Sequence, residues 1–246
     1  MDKYILGIWD GHDSGAAIIK DRKVLFAINE ERLTRRKLEI KFPELSIKAC
    51  LRHLNLSPRD IVSVAVSTSD FAKTLARLFP STKEEYYLIR RRKKTPGFFT
   101  SLKKRFKYKI TELGYSPATR YLSEKNLRSE LRRLGFINPE IAFVDHHLCH
   151  AAAAAFFSGF ESCLVVTLDG IGDGLSGSIS TLQNGTLTTV ETISGKHSLG
   201  IFFEHVTSLM NMRELEDEGK VMALANYAYP VPDRENPLLD FMRVEG

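Results

Sequence analysis

The sequence predicts an α/β fold in which one supersecondary unit is used twice. Short apolar runs between Gly- and Asp-rich turns read as strands. Runs with apolar residues three and four apart read as amphipathic helices. The order strand, Asp-Gly turn, strand, tight turn, strand, helix occurs at the start of the chain and again in its second half.

In the first unit, residues 4–9 are an apolar strand, and Asp10-Gly11-His12-Asp13-Ser14-Gly15 is a polar, Gly-containing turn. Strands follow at 16–19 and 24–28, joined by Lys20-Asp21-Arg22-Lys23, which makes a meander. Pro43 opens a helix whose stripe is Leu45, Ile47, Cys50, Leu51 and Leu54. Residues 60–66 form another strand. Residues 123–134 form a helix, with Ser123 as its expected cap and Gly135 as its stop. A short strand at 141–144 leads into three histidines, and the alanines behind them begin a helix at 151–157 that Ser158-Gly159 ends.

The second unit has strands at 163–168, 175–182 and 187–193, then a helix at about 198–210. Its first turn is Asp169-Gly170-Ile171-Gly172-Asp173-Gly174, and its hairpin turn is Gln183-Asn184-Gly185. Two facing lobes, each offering a Gly-rich turn, are the arrangement by which actin-like and sugar-kinase-like ATPases clasp a nucleotide. Residues 1–160 are therefore expected to form a first lobe, with an insertion at about 80–120. Residues 161–246 are expected to be the start of a second, truncated lobe.

Composition narrows the class. The chain has 246 residues, 43% hydrophobic and 26% charged, ordinary values for a globular protein. No apolar run is long enough for a transmembrane helix. Three scattered cysteines and no secretory pattern point to a reducing compartment, so the expected location is cytoplasmic. The net charge of +5 is unevenly spread. Eleven Lys and Arg lie between Lys83 and Lys109 against only Glu84 and Glu85, so that window carries +9 and the remainder −4. Tyr86, Tyr87, Phe98, Phe99, Phe106 and Tyr108 interleave it. Such a 83–109 segment suits nucleic acid or an interfacial helix. A solvated insertion whose aromatics tuck back onto the domain is the favoured reading.

Several residues carry candidate chemistry. His146 and His150 stand at i and i+4, so on a helix they share one face and suit a single metal ion. His147 and His150 are a second pair. Asp169, at the end of the next strand, is the natural third ligand. Two imidazoles and a carboxylate suit iron(II), zinc or manganese better than magnesium. The Asp-Gly-Ile-Gly-Asp-Gly turn lets backbone N–H groups approach an anion, through Gly170, Gly172 and Gly174. It equally suits a tight hairpin, and no G-x-x-x-x-G-K-[ST] occurs. His12, beside two Asp residues, is a candidate general base. Lys220, near the start of a helix opened by Glu216-Asp217-Glu218, is a candidate for reaching a phosphate or carboxylate.

Together, Gly11-His12-Asp13-Ser14-Gly15-Ala16-Ala17, Asn29-Glu30-Glu31-Arg32-Leu33-Thr34-Arg35, Asp145-His146-His147-Leu148-Cys149-His150-Ala151, Leu168-Asp169-Gly170-Ile171-Gly172-Asp173-Gly174 and Glu218-Gly219-Lys220-Val221-Met222-Ala223-Leu224-Ala225 occur in order. In these motifs the chain resembles the N-terminal part of the O-carbamoyltransferases, the family of nodulation-factor and antibiotic carbamoyltransferases. The resemblance covers most of the chain outside about 80–120. It implies an actin-like ATPase domain related to the tRNA threonylcarbamoyl-transferring proteins.

It further implies a C-terminal domain, in cis or in trans, that makes carbamoyl-adenylate from carbamoyl phosphate and ATP. The N-terminal domain then passes the carbamoyl group to a hydroxyl-bearing acceptor. His146, His150 and Asp169 would hold iron(II) or another divalent metal against the adenylate phosphate. His12 would be the base, and Gly170, Gly172, Gly174 and Lys220 would lie near the nucleotide. Members of the family are roughly twice as long, so the chain by itself is expected not to complete transfer. The alternative is a metal- and nucleotide-binding module that acts on or with tRNA, and an actin-like kinase is a third reading.

Overall fold

The computed structural model describes residues 3–93, 110 and 113–241. Lys94 to Lys109, and with them most of the basic segment and its later aromatics, lie outside the described residues. Both anticipated meanders form. β1 (Tyr4–Trp9), β2 (Gly15–Lys20) and β3 (Lys23–Asn29) pair antiparallel. β4 (Ile61–Ser67) adds in parallel to β1, and β5 (Glu140–Val144) adds in parallel to β4, giving the order β3-β2-β1-β4-β5. β6 (Cys163–Gly172), β7 (Leu175–Gln183) and β8 (Thr186–Ser194) make a separate three-stranded antiparallel sheet. The fold is mixed α/β, with a five-stranded mixed sheet and a three-stranded antiparallel one.

Strand alternation buries one face of the first sheet. Leu6 and Ile8 of β1, Ala16 and Ile18 of β2, and Val64 and Val66 of β4 share a core with Ile47, Cys50 and Leu51 of α2 (Glu44–His53). The short α1 (Glu30–Thr34) precedes α2. Its Glu30 is fully buried because its carboxylate caps α2, accepting from the backbone N–H of Leu45 and Ser46 at 3.1 and 2.7 Å. This gives the Asn-Glu-Glu-Arg motif a structural reason, since a helix start has unpaired N–H groups.

Two helices unforeseen in the sequence follow β4: α3 (Phe71–Leu78), capped by Asp70, and α4 (Pro80–Arg90). α5 runs from Pro117 to Arg133, so it begins six residues before the expected start. Ser116 is its cap, not Ser123; the Ser116 hydroxyl accepts from the Thr119 N–H at 3.2 Å. Ser123 lies buried inside the helix, 2.8 Å from the Thr74 hydroxyl and accepting from Arg77 at 3.0 Å. A buried hydroxyl with two partners has no need of a cap role.

α6 (His146–Phe157) takes in the histidines as well as the alanines. Ala151 and Ala155 are buried against Val165 and Leu182. Small side chains there let the helix sit close to the second sheet. α7 (Leu199–Leu209) falls within the helix expected at about 198–210 and is capped by Ser198, and α8 (Glu218–Leu224) follows. Among the described residues, no helix is long and apolar enough to cross a membrane.

Candidate functional site at the junction of the two sheets

β5 delivers the chain to the N-terminus of α6, and β6 runs alongside it. This brings His146, His150 and Asp169 together. His146 Nε2 lies 2.7 Å from Asp169 Oδ2, His150 Nε2 lies 3.4 Å from the same oxygen, and the two Nε2 atoms are 3.1 Å apart. All three ligand atoms fall within 4.8 Å of one another. Hydrogen bonds from His146 and then His150 hold the Asp169 carboxyl well below the usual carboxylate range. Asp169 in turn raises the His150 imidazole. Two imidazole nitrogens and a carboxylate oxygen converging on one point fit a divalent transition metal by donor type and spacing. His147, at the adjacent position, is buried between Thr167 (3.1 Å) and the Leu175 carbonyl (3.1 Å), and burial lowers its basicity. It ties α6 to the sheet and stands apart from the three.

The Gly-rich turn works differently from a simple anion nest. β6 continues through Gly170 to Gly172 with a register shift, and the reversal is left to Asp173 and Gly174, both at positive φ (54° and 78°). Gly172 is needed for space: a Cβ there would lie 2.2 Å from His146 Cδ2. The His146 ring thus lies on bare backbone. Gly170 donates its N–H to Asp169 Oδ1 at 2.6 Å, orienting the carboxylate.

Asp173 is a residue that sequence reasoning passed over. Asp145 occupies the N-cap position of α6 but makes no capping bond. The Asp173 carboxylate does that work from the other sheet, accepting from the His146 N–H at 2.6 Å and from the Thr68 hydroxyl. One carboxylate thus ties β4, α6 and the β6–β7 hairpin together. Its only sequence signal was its place in the Asp-Gly turn.

The first unit's turn lies close by. Trp9 packs against His146 with ring centroids 5.8 Å apart, and its indole N–H donates to the His12 carbonyl at 2.6 Å. The His12 side chain is about half exposed, with Nδ1 3.3 Å from Asp13 Oδ2. Tyr87 of α4 sits edge-on to it. Asp10, in contrast, is sealed in. It is 2.6 Å from Lys73 Nζ and 2.8 Å from Arg77 Nε, both from α3. Burial pushes its carboxyl up, but the charges of Lys73 and Arg77 more than cancel that and hold it well below the usual range.

Lys220 is not brought into the cluster. It is largely exposed and pairs with Asp217 at 2.7 Å. The described part of the basic segment is committed within the protein. Arg90 pairs with Glu204 and with Glu214 (2.7 Å), while Arg91 and Lys93 pair with Glu216.

The family model described as carbamoyltransferase N-terminus matches residues 4–240. The chain belongs to that family. Among curated relatives of this carbamoyltransferase N-terminal chain, the nodulation protein NolNO of Sinorhizobium fredii is 29% identical over 225 residues. That match covers 91% of the chain and 29% of the relative. An uncharacterised protein of Synechocystis is 30% identical over 223 residues, covering 89% of the chain and 34% of the relative. The chain therefore spans about a third of the length of the curated relatives it matches. Among solved structures, YeaZ from Pseudomonas aeruginosa aligns with 77% of the chain and 64% of its own at 11% identity. Its TM-score is 0.37.

Proposed function

We propose that this chain is the carbamoyl-transferring part of an ATP-dependent O-carbamoyltransferase. Carbamoyl-adenylate, made from carbamoyl phosphate and ATP by an adenylate-forming domain in cis or in trans, is the donor, and a hydroxyl on a small molecule or glycan is the acceptor. Residues 1–160 and 161–246 belong to two facing lobes, and the donor lies between them. The observation that carries this reading is the convergence of His146 Nε2, His150 Nε2 and Asp169 Oδ2 in a member of this family, beside the turn that bears His12.

His146, His150 and Asp169 hold iron(II) or another divalent metal. When bound, it supplies positive charge against the adenylate phosphate, where negative charge builds as AMP leaves. Asp169 keeps both imidazoles aimed at one point, and Gly172 leaves room for the His146 ring. His12 takes the proton from the acceptor hydroxyl as that oxygen attacks the carbamoyl carbon. Asp13 lies near Nδ1 of His12, which leaves Nε2 free to act as the base. Gly170, Gly172 and Gly174 line the nucleotide side. Lys220 reaches that ligand only by leaving Asp217. Arg90, Arg91 and Lys93 already have acidic partners, so this described part of the basic segment is not assigned to tRNA.

The test supplies carbamoyl phosphate, ATP and a panel of polyols and oligosaccharides to the chain together with the adenylate-forming domain. AMP release that rises with acceptor, and is lost in a His146→Ala, His150→Ala double variant, is the expected result. Release that ignores the acceptor, or survives the double substitution, overturns the reading. The isolated chain is expected to give no transfer.

A further inference from the structure

α4 begins in the segment that reads as an insertion, yet one of its side chains enters the site. The Tyr87 ring meets the His12 imidazole edge-on, with centroids 5.8 Å apart and planes at 61°. Tyr86 backs Tyr87 in the same manner at 5.6 Å. Burial pushes the Tyr87 phenol up, Arg90 opposes that, and the charges of Asp169 and Asp13 add to it.

The helix that carries Tyr87 is gripped on both sides. Arg36, in the loop after α1, pairs with Glu84. Toward the second sheet, Arg90 pairs with Glu204 of α7 and with Glu214, and Arg91 with Glu216. Those last pairs are buried, where losing one partner is costly. A side chain on a helix held this way is a rigid support. Reacting groups need such supports, because they must stay within about 0.5 Å of the productive geometry.

We propose that Tyr87 is a positioning residue for His12, and that α4 is the strut that sets its ring against the His12 imidazole of the first unit's turn. This rests on His12 serving as the base in the proposed transfer. The nominal insertion is then part of the working site.

The test reads His12 directly. Diethyl pyrocarbonate modifies histidine nitrogens, and mass spectrometry resolves the rate at each site. In the chain as it stands, Tyr87→Ala is expected to change the His12 rate by about threefold or more, the scale of releasing one rotamer constraint. Tyr87→Phe keeps the ring and is expected to keep the parent rate. His53, stacked on Phe26 away from α4, serves as the internal reference and is expected not to change. An unchanged His12 rate in Tyr87→Ala, or an equal change at every histidine, overturns the proposal.

In the intact enzyme, Tyr87→Ala is expected to lower kcat about tenfold with little change in KM, and Tyr87→Phe to restore it. A change confined to KM also overturns it. If His12→Gln keeps full turnover, the base assignment fails, while the reactivity comparison still reports whether Tyr87 places His12. The two failures are therefore distinguishable.

Discussion

The two meanders make the same local choice and reach opposite electrostatic ends. Each first strand runs into an Asp followed by Gly: Asp10 after β1 and Asp169 within β6. Asp10 is buried and held by a lysine and an arginine from α3. Asp169 is nearly half exposed and is held by two imidazoles and the Gly170 N–H, with no lysine or arginine paired to it among the described residues. The surroundings differ in the same sense. β1 has β2 on one side and β4 on the other, whereas among the described residues β6 pairs only with β7. Leu6 and Ile8 of β1 are buried, while Leu164, Val166 and Leu168 of β6 are more than half exposed. An aspartate met by permanent cations becomes structure. One met by histidines at an open edge stays available for a ligand.

The sharpest way to break this comparison is to delete both carboxylates in turn. Asp10→Ala leaves two buried cations without their acid and is expected to destabilise the fold by about 3–5 kcal/mol in denaturant titrations. Asp169→Ala is expected to cost about 1 kcal/mol or less, since its partners are partly exposed and can ionise less. Similar losses for both would end the distinction. Acid sharpens it. Asp10 titrates lower in the folded chain than the ordinary value of about 3.9, so the folded state binds fewer protons there. Its contribution is fully present above about pH 4 and drains away as pH falls toward the lower folded value. Asp10→Asn is expected to flatten the stability–pH curve in that window.

Metal binding probes the other half. His146→Ala with His150→Ala is expected to weaken binding of iron(II) or zinc by more than about 100-fold, beyond what loss of a supporting residue costs. Calorimetry or competition with a chelating dye reads this directly, and unchanged affinity would remove the ligand assignment. Gly172→Ala forces the His146 ring off the backbone and is expected to cost about 10- to 100-fold in the same assay. Asp173→Asn is milder. It keeps an acceptor for the His146 N–H, so a drop of about tenfold or less is expected, with about 1 kcal/mol of stability lost through the weaker cap.

Much of the fold was legible because its causes are local. Short apolar runs broken by Asp-Gly, Asn-Gly and Lys-Asp turns specify the two meanders, and both formed. The i, i+4 spacing of His146 and His150 put them on one helical face, and Asp169 met them there, although β6 runs on past it to Gly172 rather than ending beside it. The errors were of a different kind. Ser123 looked like a cap because it precedes a helical stretch, but Thr74 and Arg77, both from α3, hold it inside the helix. α4 was read as part of a charged insertion because its acidic partners Glu204, Glu214 and Glu216 lie more than a hundred residues away in sequence.

The sequence by itself determined where strands, turns and most helices fall, and which imidazoles share a face, since steric and periodic rules act within a few residues. Only the tertiary structure decided which Asp became buried ballast and which stayed open, which carboxylate caps α6, and that Tyr87 touches His12. Those outcomes depend on which charge or ring arrives from a distant segment, and no local pattern encodes that.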